Sequence, residues 1–251
     1  MTRARLPDGK KLPGTTTAAG EDRTIKRFGV LLGALKVAGL VAIWFLLRWL
    51  AANDVGTAAS AVLIVAPLVL VAPVSLGGRK VLDARPEWVI PATAAVDLIL
   101  IVLFGVSIVV GVRFGIAHPG WLLPIPAKPG LVLMWVLGPV VALTVINLAV
   151  RGLGAPFAAP ISRRLATDWL YRYTRNPMVL TLLLFLVAVG LWLRSAWFIG
   201  WVVGLATPAW VFYLRVFEER ELELRFGPPY LDYRNQTPML WPGRPRHTRP
   251  G

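Results

Sequence analysis

The chain has 251 residues, of which 56% are hydrophobic and 16% charged, and its formal net charge is +14. A mean hydropathy of +0.64 and several long apolar runs place it with polytopic membrane proteins, not with soluble domains. The absence of cysteine excludes disulfides, thiolate zinc sites and cysteine nucleophiles.

The positive charge sits between and outside the apolar runs, where membrane topology puts it, so no nucleic-acid partner is expected. His118 and His247 have no partner at metal-ligand spacing, and no metal is expected either. Residues 1–27 hold Arg3, Arg5, Lys10, Lys11, Arg23, Lys26 and Arg27 among Gly, Pro and Thr. Such a stretch cannot bury enough apolar surface to offset its ordering entropy, and it reads as a disordered basic tail. The run that follows, 28–50, is longer than the roughly 7–15 residues of a signal-peptide core.

Six segments approach the length needed to cross about 30 Å of hydrocarbon at 1.5 Å per residue. They are 28–50, 57–76, 88–112, 131–150, 178–193 and 196–217. The fifth is short and is joined to the sixth by a tight turn at Arg194–Ser195, which predicts a helical hairpin. Pro208 removes a backbone donor from the sixth and predicts a kink. With six spans, twenty-two of the 27 Lys and Arg residues share one side, which places both termini in the cytoplasm. The expected fold is therefore all-α, with about six transmembrane helices and a polar site on the cytoplasmic face formed by the C-terminal half. Its regions are the tail 1–27, four helices over 28–150, a functional region 151–242 and a basic tail 243–251.

Lys36 and Asp97 fall inside the first and third spans, both about 12–14 Å from the cytoplasmic end by helical rise. They read either as part of a proton or substrate relay, or as an internal ion pair or a snorkelling lysine.

The polar stretch 152–178 lies between apolar runs and reads GLGAPFAAPISRRLATDWLYRYTRNPM. At the membrane surface, Arg163, Arg164, Arg172 and Arg175 would face lipid headgroups or an anionic ligand. Asn176–Pro177 ends the stretch at the start of a helix, whose free N–H groups suit a carboxylate or phosphate. After the hairpin comes FEERELELRFGPPYLDY, residues 217–233. Glu221 with Arg225, and Arg215 with Glu219, have the i,i+4 spacing of surface ion pairs. Glu218 and Glu219 beside the apolar boundary could instead accept hydrogen bonds from ribose hydroxyls or an ammonium group. Phe226-Gly227-Pro228-Pro229 stops the helix, and Tyr230 and Tyr233 turn back towards the membrane.

Taken in order, these elements resemble the isoprenylcysteine carboxyl methyltransferase family, its bacterial relatives and the wider group of phospholipid methyltransferases. Gly152, Gly154, Pro156 and Pro160 fit its first element. Tyr171, Arg175, Asn176, Pro177 and Met178 fit the second, and Glu218, Glu219, Leu222, Phe226, Gly227, Tyr230 and Tyr233 the third. The resemblance implies S-adenosylmethionine bound at the cytoplasmic face, with a lipophilic acceptor entering from the bilayer. By position, Arg175, Asn176 and Pro177 line its methionine end, and Met178 is a further cofactor-binding residue. Glu218 and Glu219 take its amino or ribose groups, and Tyr171 and Tyr230 complete the pocket. Arg175 and Glu219 are then the residues expected to serve catalysis. Trp169, Leu170, Val179, Thr181 and Met239 depart from the family pattern, which puts the substrate class in doubt. Two other readings stay open: a non-catalytic lipid- or partner-binding membrane protein, and an NADPH-dependent reductase. The paired acids oppose the second, since they would repel a 2′-phosphate.

Overall fold

The structure, a computed structural model, describes residues 37–118, 122–152 and 169–243, without the side chains of 145–152 and 169. Both basic tails, Lys36, and the residues from Gly154 to Arg164 lie outside it. Its elements are helices: α1 (Val37–Ala52), α2 (Thr57–Ala84), α3 (Val89–Ala117), α4 (Lys128–Gly152), α5 (Pro177–Trp192), α6 (Ala196–Phe226) and α7 (Pro228–Gln236). There is no strand among the described residues, only a single bridge between Leu122 and Ser195.

Local chemistry sets the boundaries. Gly56 precedes α2 at φ 77°, held by its N–H to Asp54 Oδ1 at 2.9 Å. Pro86 ends α2, because the residue before a proline is pushed out of the helical region, and a 3₁₀ turn over Pro86–Trp88 leads into α3. Ser195 caps α6, its hydroxyl accepting from Phe198 N–H at 3.2 Å. Gly227 ends α6 at φ 58°, and Pro228 opens α7.

Among the described residues, three helical stretches are long and apolar enough to cross a membrane: Thr57–Ala84, Pro86–Ala117 and Ala196–Phe226. Val37–Ala52, Lys128–Thr144 and Pro177–Trp192 are shorter apolar helices. The helices run further than hydropathy alone predicts, most of all α6, which continues from Phe217 to Phe226.

α2 pairs with α3, and α4 with α5; α6 lies against α2, α3 and α5. Val71, Phe198, Val202 and Phe217 are fully buried at the centre. Trp135 on α4 is 75% exposed, as a lipid-facing side chain would be. At one end, Gly130 of α4 meets α5 so closely that a Cβ there would lie 2.2 Å from Trp192 N. Leu123 N–H donates to Arg194 O at 2.7 Å, tying the segment before α4 to the α5–α6 turn. Arg194 adopts φ 56° in that turn.

α6 is not a uniform α-helix. It contains two π-turns, Val202–Ala206 and Leu214–Glu218. The first leads into Pro208, so the irregularity predicted there takes this form; Thr207 N–H and Oγ1 both donate to Val202 O. The second sits directly before the acidic block.

Candidate functional site

The two polar blocks lie about forty residues apart in sequence, and the α5–α6 hairpin returns one beside the other. Arg175 is the junction. Its Nη1 lies 2.9 Å from Glu219 Oε1 and 3.4 Å from the Tyr230 hydroxyl. The Arg175 side chain is 11% exposed and that of Glu219 23%, so the pair is largely withdrawn from water, where its attraction is poorly screened. Arg175 Nε is buried with no hydrogen-bond partner, a donor left over at the same place.

A second set of bonds fixes the backbone around Arg175. Its N–H donates to Pro238 O at 2.9 Å, and Thr174 Oγ1 donates to Leu240 O at 2.9 Å. Asn176 Nδ2 donates to Met239 O at 3.1 Å, Gly243 N–H to Tyr173 O at 3.0 Å, and Tyr233 hydroxyl to Tyr171 O at 2.7 Å. The extended segment after α7 is thus stitched to the turn before α5. Sequence reasoning assigned no role to Thr174 or to the carbonyls of Pro238–Leu240. Only the fold shows where that segment returns.

The expected site residues divide into two groups. Arg175, Glu219 and Tyr230 touch one another. Glu218 lies near enough for its charge to act on both Tyr171 and Tyr230. Burial, and then the Glu218 charge, push the Tyr171 phenol up to about 12; burial raises Tyr230 to about 12 against the pull of Arg175. Tyr233 is raised further, again chiefly by burial. Asn176 stands at the N-cap of α5 as expected, but its side chain does not cap the helix; its amide serves Met239 O. Pro177 is fully buried and Met178 half-buried in the first turn of α5, where they shape the wall and offer no polar side-chain atom.

One pairing expected from spacing differs. Glu221 pairs with Arg225, but Glu219 turns to Arg175 and not to Arg215. The π-turn over Leu214–Glu218 changes the phase between Arg215 and Glu219, so i,i+4 spacing no longer stacks them. Three of the positions that depart from the family pattern, Val179, Thr181 and Met239, are accommodated. Val179 is buried, Thr181 Oγ1 is satisfied by Pro177 O at 2.8 Å, and Met239 contributes its carbonyl, which any residue supplies. Asp97, whose expected neighbour Lys36 is outside the described residues, accepts from Tyr213 hydroxyl at 3.2 Å. A cleft lined by Asn53, Asp54, Arg113 and His118 lies at the other end of α3 and shares no residue with this cluster.

The donor set has a definite chemistry. A guanidinium with a spare buried N–H and a helix N-terminus without a side-chain cap suit a carboxylate. The neighbouring carboxylates of Glu218 and Glu219 suit an ammonium or hydroxyl groups, and a zwitterionic amino-acid moiety offers both. No group of acids or histidines suited to a metal occurs among the described residues.

Residues 129–228 match the phospholipid methyltransferase family. The match takes in α4, α5, α6 and the turn holding Arg175, so it covers the Arg175–Glu219 junction. The family resemblance carried by the RNP and double-glutamate elements is therefore borne out. A stretch of 77 residues is 38% identical to methanethiol S-methyltransferase 2 of Bradyrhizobium diazoefficiens. That stretch is 30% of this chain and 28% of the relative, so the chain spans under a third of that relative's length in the comparison. No solved structure matches the chain.

Proposed function

We propose that this chain is an integral membrane methyltransferase that uses S-adenosylmethionine to methylate a lipophilic small molecule, isoprenoid or lipid. The observation that carries the reading is the pairing of Arg175 with Glu219, both inside the family-matched segment, with the Tyr230 hydroxyl just beyond it closing on Arg175. Both motifs, each weak alone, supply one half of a single polar cluster at the end of α6.

When bound, S-adenosylmethionine supplies a methyl group on a sulfonium. Arg175 and the first turn of α5 would hold its carboxylate, and Glu218 and Glu219 its ammonium or ribose hydroxyls. Tyr171 and Tyr230, neutral at physiological pH, wall the pocket and exclude water without adding charge. Transfer by in-line displacement needs alignment and a dry site more than it needs a covalent nucleophile, which agrees with the residues assembled here. The acceptor arrives from the bilayer, and both termini face the cytoplasm, so the site lies at the cytoplasmic surface. The methanethiol relative adds a thiol to the acceptors worth screening.

Calorimetric titration of the purified protein with S-adenosylmethionine, S-adenosylhomocysteine and NADPH tests this directly. Micromolar binding of both adenosyl ligands and none of NADPH is the expected result. Binding of NADPH alone would support a reductase, and binding of no ligand a non-catalytic membrane protein.

A further inference from the structure

The α2–α3 hairpin precedes the family-matched segment, yet it meets α6 where the double glutamate is set. The Tyr213 hydroxyl, on a side chain only 7% exposed, donates to Asp97 Oδ1 of α3 at 3.2 Å. Phe217, fully buried, lies over Gly78 of α2: a Cβ there would come within 2.7 Å of its ring and 2.8 Å of Val96. Arg220 Nε donates to Asp83 Oδ1 of α2 at 2.7 Å. Tyr213, Phe217 and Glu221 are all buried, and Tyr213 and Phe217 both meet the hairpin directly. Glu219 turns to Arg175, and Glu218 stands close to both Tyr171 and Asp97.

Between Tyr213 and Glu219 runs the second π-turn, closed by Glu219 N–H on Leu214 O. A π-turn inserts one residue, which rotates everything beyond it by about 100° relative to a continuous α-helix. The phase of the glutamates therefore depends on keeping this turn, and π-turns persist only where surrounding contacts hold them. We infer that Asp97, through its hydrogen bond from Tyr213, is a positioning residue for the cofactor site: it anchors the start of the second π-turn and so keeps Glu218 and Glu219 facing Arg175. The inference rests on the methyltransferase reading above. It extends the site to a helix outside the matched segment and explains why a half-buried carboxylate stands nine residues into α3.

The test uses the full chain in lipid nanodiscs, titrated with S-adenosylmethionine and S-adenosylhomocysteine, with unfolding midpoints measured alongside. Loss of one hydrogen bond predicts that Asp97→Leu and Tyr213→Phe each weaken binding roughly five- to tenfold. The double variant should bind no more weakly than either single one, because both remove the same contact. Asp97→Asn keeps an acceptor oxygen and should bind within about twofold of the wild type. Unchanged affinity in Tyr213→Phe, or equal loss in Asp97→Asn and Asp97→Leu, overturns the inference and leaves the methyltransferase reading standing. A lowered midpoint with unchanged affinity does the same, since it shows a structural role only. Should Asp97→Leu fail to fold, the near-isosteric Tyr213→Phe decides. Wild-type protein that binds neither ligand overturns the methyltransferase reading and the inference with it.

Discussion

Arg175 reaches three kinds of partner: the Glu219 carboxylate, the Tyr230 hydroxyl and, through its own N–H, the Pro238 carbonyl. Removing the charge opposite it leaves a largely buried guanidinium without compensation. Glu219→Gln should therefore lower stability by about 2–3 kcal/mol and weaken S-adenosylmethionine binding at least tenfold, measured by thermal unfolding and calorimetry on the same preparation. Asn176→Ala should behave differently. Its amide holds Met239 O, so the variant gives up about 1 kcal/mol of stability as well as cofactor affinity, and a binding defect alone would contradict the observed bond. The tyrosines carry a pH signature. Tyr171 is raised to about 12 by burial and by Glu218, while an unfolded tyrosine ionises near 10. Because the folded value is the higher, its stabilisation is complete below pH 10 and is lost as pH rises towards 12. The full loss is about 2–3 kcal/mol. Unfolding midpoints scanned from pH 8 to 11.5 should fall above pH 10, and fall less steeply in Tyr171→Phe. An unchanged slope in that variant would place the alkaline transition elsewhere.

Among the helices, what the sequence reveals and what it hides separate by range. The hairpin α5–α6, its capping serine and the stop at Gly227 are local events, written in apolar length, Pro and Gly, and they are readable in the chain. The π-turns of α6 are not, because their residues, VVGLA and LRVFE, differ in no obvious way from α-helical ones. Their consequence was hidden with them: spacing paired Glu219 with Arg215, and the altered phase gives it to Arg175 instead. The docking of α2 and α3 on α6 was invisible for another reason. Gly78 against Phe217 and Asp97 against Tyr213 join residues more than a hundred positions apart, and such contacts leave no local pattern. Gly227 shows how far a local signal reaches. At φ 58° and ψ −137° it occupies a region nearly closed to other residues. Gly227→Ala should destabilise by about 1–3 kcal/mol and, by shifting α7, move Tyr230 away from Arg175. A drop in both unfolding midpoint and cofactor affinity is expected; a midpoint within a degree of wild type would show that the turn relaxes freely.

At the scale of the whole molecule, the question is how the bundle sits in its bilayer. α6 has 31 residues and so is about 46 Å long at 1.5 Å per residue, well beyond the 30 Å of the hydrocarbon core. Starting from Ala196, about twenty residues cross the core, and the helix emerges near Arg215. That placement would set Glu218 and Glu219 at the headgroup level, with α7 outside the core. Arg194 marks the opposite end of the span together with Trp192, Trp197 and Lys128, the kind of amphipathic border that ends a span. On this placement the turn at Arg194 and the surface of α7 are expected to face opposite compartments. The natural absence of cysteine makes this measurable without background. Arg194→Cys and Asp232→Cys replace exposed side chains one at a time, in cells treated with a membrane-impermeant maleimide. With cytoplasmic termini, intact cells should label Arg194→Cys and spare Asp232→Cys, and lysed cells should label both. The reverse pattern would invert the topology and put the Arg175 cluster on the outer face, away from cytoplasmic S-adenosylmethionine. Labelling of both in intact cells would mean that α6 does not cross the membrane at all, and the site would have to be rebuilt as a surface feature.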